Sequence, residues 1–166
     1  MKDFQTIITQ LTKQLYTPYK MSLTAICEEP QNAAYGAGTF QIASKTVRFR
    51  VAKQTPKKSG QFVAFWEKDR HNKNQAFSSE EAPDLLVITT FKDEHRYGQF
   101  IFPKAVLLKQ NILRTNSNPG KMAMRVYPSW DPPTSKQAIT TQNWQLPYFV
   151  DLCDLTQEKL DSLYKR

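Results

Sequence analysis

Residues 84–91, DLLVITTF, hold an unbroken apolar and β-branched run from Leu85 to Phe91. Its continuous stretch Leu85–Ile88 is far shorter than the roughly 18 residues a membrane span needs. A short run without polar alternation is the mark of a central strand buried on both faces. A chain with such a strand must cover a sheet from two sides. Other segments fit that demand. Thr46 to Ala52 alternates, with Val47, Phe49 and Val51 on one face and Arg48 and Arg50 on the other. Residues 39–42, 61–66, 97–102 and 122–127 read as further strands, and QTPKKSG, with Pro56 and Gly60, reads as a turn. Phe4, Ile7, Ile8, Leu11 and Leu15 recur at helical spacing behind Asp3, a candidate cap, and Pro18 stops that helix. Pro103 suits the first turn of a second helix that continues to Leu113. A third begins near Thr156 and carries Leu160, Leu163 and Tyr164. Residues 72–83 read as a polar loop. Residues 128–147 are rich in Pro, Ser, Thr and Gln, with Trp130 and Trp144 embedded. The order predicts one α+β domain over residues 1–166, a mixed central β-sheet flanked by helices.

The charge is unevenly placed. The net charge is +8. Residues 45–73 hold nine Lys/Arg against two acids, and residues 101–146 hold six against one. Between them, residues 74–100 hold two bases against five acids. A charge kept for solubility would be spread along the chain. Two basic blocks are the footprint of a polyanion binder. The acidic stretch 80–94 reads either as a solvated sheet end or as a contact for an unknown protein partner. No membrane partner is indicated, and the N-terminal stretch MKDFQTIITQ lacks the pattern of a signal peptide. Cys27 and Cys153 read as two buried thiols of a cytoplasmic protein.

The chain offers little catalytic chemistry. His71 and His95 are the only histidines, and neither has a partner at zinc-ligand spacing. There is no Gly-rich dinucleotide or phosphate-loop motif and no nucleophile elbow. A metal-dependent nuclease needs clustered carboxylates, often as acid–any–Lys on one strand face. None of the 15 acids has a lysine two positions later. No catalytic residue, metal site or cofactor is therefore assigned. The rival reading is a metal site assembled from distant acids such as Glu28, Glu67, Asp84 and Asp93.

Binding fits better. Lysine and arginine release counterions from phosphates, and aromatics stack on unpaired bases. The predicted interface has one wall of Arg48, Arg50, Lys53, Lys57, Lys58, Lys68 and Arg70. The other wall holds Lys121, Arg125 and Lys136. Trp66 or Trp130 would stack on a base. For Arg48 and Arg50 the plain alternative is pairing with an acid across the sheet. For Trp66 and Trp144 it is burial in a core. A third reading joins Arg50, Lys53 and Arg125 with Gln142 around a nucleotide or small anion.

The stretches FRVAKQTPKKSGQFVAFWEK, YGQFIFPKAVLLKQNIL, GKMAMRVYPSWD and QAITTQNWQLPYF together resemble the MepB family of small bacterial proteins. The likeness spans roughly residues 30–150. The family pattern falls on Arg50, Lys53, Thr55, Pro56, Lys58, Gly60, Gln61, Lys104, Lys121, Arg125, Tyr127, Trp130, Gln142 and Trp144. The resemblance implies a PD-(D/E)XK endonuclease-like fold without an intact catalytic motif. It also implies nucleic-acid binding and a link to a multidrug-export operon, and the aromatics set among the basic blocks point to RNA or single-stranded DNA as the preferred form.

Overall fold

The computed structural model describes residues 3–165. Asp3 accepts from the Thr6 N–H at 2.9 Å and so caps α1 (Phe4–Leu11). Phe4, Ile7, Ile8 and Leu11 form its buried stripe, as their spacing predicts. A π-helical turn over Thr12–Tyr16 continues it and turns Leu15 and Tyr16 inward. The chain then forms β1 (Leu23–Glu28), β2 (Gly38–Ile42), β3 (Lys45–Val51), β4 (Lys53–Gln54), β5 (Gln61–Ala64), β6 (Trp66–Lys68) and β7 (Asn74–Ala76). Next come β8 (Leu85–Phe91), β9 (Tyr97–Pro103), α2 (Lys104–Lys109), β10 (Ala123–Val126), α3 (Lys136–Gln145), β11 (Phe149–Asp151) and α4 (Gln157–Tyr164).

The main sheet has the order β1-β2-β3-β8-β9-β11. Strands β3 and β8 run parallel, and the other neighbours are antiparallel. The unbroken run of β8 serves two cores at once. Leu85 and Val87 pack with Phe4, Ile8, Leu160 and Tyr164 beneath α1 and α4. Leu86 and Ile88 pack with Val63, Val106, Leu107 and Val126 on the opposite face. Each of these side chains stabilises the fold by about 1.5–3 kcal/mol. A buried polar ring sits within the first core. Gln99 Nε2 donates to Tyr16 Oη at 3.1 Å and to Thr89 Oγ1 at 3.0 Å, and Tyr164 Oη donates to Gln99 Oε1 at 2.6 Å. The two phenol oxygens are 3.0 Å apart, which closes the ring.

The second core is covered by a three-stranded sheet, β10-β5-β4. The two basic blocks of the sequence meet here, because β5 belongs to the first and β10 to the second. Strands β6 and β7 pair as a separate ribbon.

Several local expectations change. The supposed loop 72–83 contains β7. The second helix stops at Lys109, and Ile112 and Leu113 are buried beyond its end. Residues 128–147 contain α3, whose buried positions are Ala138 and Gln145. Gln145 replaces an apolar anchor with two hydrogen bonds. Its Oε1 accepts from the Tyr127 N–H at 2.9 Å, and its Nε2 donates to the Arg125 carbonyl at 3.0 Å. Cys27 and Cys153 are both exposed, not buried. Cys27 lies on the edge strand β1, which is exposed along most of its length. Among the described residues, no helix is long and apolar enough to cross a membrane.

Candidate nucleic-acid interface

The two arginines of β3 are drawn inward. Arg50 is 0% exposed. Its Nη1 meets Glu29 Oε1 at 2.6 Å and donates to the Phe49 carbonyl at 2.8 Å, while Nε donates to the Ala64 carbonyl at 3.1 Å. Arg48 Nε meets the other Glu29 oxygen at 3.3 Å, and its guanidinium lies 3.4 Å from the centre of the Phe77 ring. Burial lowers the pKa of both guanidiniums, and Glu29 works against that shift. A buried Arg50 has no surface to offer a phosphate. Arg50 therefore leaves the predicted wall, and Arg48 is largely spent on Glu29 and Phe77. Pairing with an acid, the plain alternative, is what the fold contains.

The small sheet gathers part of the rest. Lys53, Phe62 and Arg125 are direct neighbours across β4, β5 and β10, so they project from one face. That face is outward, because the alternating residues Val63 and Val126 point into the core. Tyr35 lies beside it, with its ring 6.2 Å from Phe62 and 4.8 Å from Lys53 Nζ. Neither Tyr35 nor Phe62 is among the predicted site residues. Lys57 and Lys58 are exposed at the turn between β4 and β5.

Arg125 and Asp131 hold that turn. The Arg125 guanidinium donates to Thr55 Oγ1 at 2.6 Å, to the Gly60 carbonyl at 3.1 Å and to the Ser59 carbonyl at 3.2 Å. Asp131 accepts from the Gly60 N–H at 2.6 Å. Gly60 has φ +78, and a Cβ there would stand 2.6 Å from the Tyr127 ring. Gln142 Nε2 faces the carbonyls of Tyr127 (3.2 Å) and Pro128 (3.1 Å), fixing the segment that carries Asp131. The family-pattern residues Thr55, Gly60, Arg125, Tyr127 and Gln142 thus form one interlocked device that presents a lysine turn.

The remaining predicted residues spread over two places. Lys121 lines a shallow cleft of about 280 Å³ between β10 and the start of α3, and Lys136 is exposed at the first residue of α3. Lys68 and Arg70 are exposed on or just beyond β6, and Lys68 Nζ lies 5.2 Å from the Trp66 ring. Trp66 is half-buried, and Asn32 bonds both its backbone N–H (3.0 Å) and its carbonyl (3.2 Å). Trp130 is committed internally, edge-on to Phe149 at 5.5 Å and 5.2 Å from the Arg96 guanidinium. It is not an open stacking platform. Trp144 packs on Phe102 in the second core.

The two rival sites do not assemble. Arg50 is buried against Glu29 and Gln142 is spent on backbone carbonyls, so neither joins Lys53 and Arg125 around an anion. Asp84 and Asp93 lie just beyond opposite ends of β8, Asp84 bonded to Thr46. Glu67 is occupied by Gln75 (3.0 Å) and Arg114 (3.5 Å). Among the described residues, no three His, Cys, Asp or Glu side chains gather as a metal site.

These features define an α+β protein that joins a helix-covered mixed sheet to a small cationic sheet. The chain belongs to the MepB-like family, whose model matches residues 29–151. A crystal structure of MepB is similar at 36% sequence identity with a TM-score of 0.78, covering 93% of this chain and 100% of the other. No curated protein matches the chain.

Proposed function

We propose that this protein binds nucleic acid in the bacterial cytoplasm, favours RNA or single-stranded DNA, and does not cut it. The observation that carries this reading is the row Lys53–Phe62–Arg125, flanked by Tyr35 and the Lys57–Lys58 turn. The exposed charge of the Lys57–Lys58 turn suits a phosphate backbone, and the half-buried Lys53, Phe62 and Tyr35 beside it add charge and aromatic surface for unpaired bases. The mixed sheet with helices on both faces supports the nuclease-like architecture that the family resemblance implies. The dispersed acids favour binding over metal-dependent cleavage. Two exposed, unpaired thiols suit a reducing compartment.

Fluorescence anisotropy of labelled single-stranded DNA, RNA and duplex, titrated across salt, tests the reading. If Lys53, Lys57, Lys58, Lys121 and Lys136 each meet one phosphate, the log–log slope for single strands is about −3.5. Absence of binding at low salt, or cleavage on adding magnesium or manganese, contradicts it.

A further inference from the structure

A second feature lies at the end of the parallel pair. The carboxyl ends of β3 and β8 open into a groove of about 1140 Å³, walled on one side by α1. The crevice beyond the carboxyl ends of parallel strands is where α/β sheets commonly take ligands. Val51, Ala52, Ile7 and Phe91 give the groove an apolar lining. Lys13, Lys53 and Lys92 stand around it. Of the acids at its rim, Asp93 is used internally. Its carboxylate accepts from the N–H groups of His95 (2.8 Å) and Arg96 (2.9 Å), which hold its pKa below the usual range.

Gln61 supplies the independent observation. It lines the groove and is 2% exposed. Its Nε2 donates to the Phe91 carbonyl at 3.1 Å. Only the amide nitrogen can face a carbonyl, so this bond fixes which way the group points. Its Oε1 is left as a buried acceptor without a partner. Such a group in a native fold calls for an explanation, and a ligand is one. Gln54 beside it donates to the carbonyls of Phe91 (2.7 Å) and Lys92 (3.0 Å), so the strand end is held without Gln61 Oε1.

We infer that this groove binds a nucleotide unit. A base lies on the apolar lining and donates a ring or exocyclic N–H to Gln61 Oε1, while its phosphate meets Lys13, Lys53 and Lys92. A flat apolar body, a hydrogen-bond donor and an anion are the three properties the lining asks for. The groove is separate from the outer face of the small sheet and shares only Lys53 with it.

The test titrates AMP, CMP and inorganic phosphate into the wild-type protein by calorimetry, and repeats it with Thr9→Trp and Lys13→Glu. Both positions are exposed on the α1 side of the groove, so these variants keep the fold. The inference expects a mononucleotide to bind, phosphate alone to bind far less, and Thr9→Trp to weaken the nucleotide by about tenfold or more. It also expects the Gln61 side-chain amide resonance to move on nucleotide addition. No binding at millimolar nucleotide overturns it, as does equal binding of phosphate or undiminished binding in both variants. Competition by a short single strand assigns the groove to a nucleotide within a strand, and lack of competition assigns it to a free nucleotide. Strand binding that needs Lys57, Lys58 and Lys121 but survives Thr9→Trp, with no mononucleotide bound, sinks this inference and leaves the proposed interface standing.

Discussion

Arg48 and Arg50 lie only a few residues before Lys57 and Lys58, yet the two pairs meet opposite fates. The arginines sit on a strand inside the main sheet, beneath the small sheet, and converge on Glu29. The lysines ride a turn at the rim of the small sheet, and among the described residues neither they nor Lys53 and Lys121 form an ion pair. Positive charge in a sequence therefore does not say where it points. Position in the strand order decides: inside the sheet a charge must find a partner, and on the turn it remains available to an external anion.

The largest test of this contrast removes the internal partner. Glu29→Gln leaves two guanidiniums facing a neutral amide, with Glu29 itself only 13% exposed. Stability should fall by about 3–5 kcal/mol, read from urea denaturation. A loss below about 1 kcal/mol would mean that the arginines are not dependent on it.

The buried phenols offer a second test through pH. Burial pushes Tyr16 up to about 12, partly opposed by its hydrogen bonds with Tyr164 and Gln99, and burial also raises Tyr164. A group whose folded pKa is raised contributes fully below its unfolded value and loses that contribution as pH climbs through the folded one. Stability should hold up to about pH 10 and then fall through Tyr16 by about 1.4 kcal/mol per pH unit up to about pH 12, with Tyr164 adding a fall of the same sign. Alkaline denaturation curves of wild type and Tyr16→Phe check the slope.

Gln145→Leu probes the polar anchor of α3. The buried Tyr127 N–H loses its partner, and the cost should be about 1–3 kcal/mol in thermal unfolding. Lys57→Glu with Lys58→Glu is the smallest stability change, within about 0.5 kcal/mol, because both side chains are solvated. Measured by the same unfolding assay, a large loss there would place the lysines in the fold rather than at an interface.

Much of this architecture is readable from residue order. The stripe of α1, the alternation of β3 and the solid run of β8 each bury an apolar set, and burial leaves a periodic trace. Strand β1 leaves none, since Thr24 to Glu28 are exposed, Ala25 has φ +53 and its register slips between Thr24 and Cys27. Helix α3 also leaves none, because Gln145 holds it through backbone groups. The site divides the same way. The lysine turn is plain in the sequence, but Glu29 precedes its arginines by 19 and 21 residues on a neighbouring segment. Tyr35 reaches Phe62 only through the tertiary fold, and no local spacing announces the pair.

The most direct measurement is the salt dependence of single-strand binding for wild type, for Lys57→Glu/Lys58→Glu/Lys121→Glu, and for Lys159→Glu on α4 as a control. If the exposed lysines of the small sheet carry the interface, the triple variant binds more weakly and its log–log slope is shallower by about 2, while the control matches wild type. A triple variant that binds like wild type, or a control that falls equally, would contradict the division between structural arginines and binding lysines.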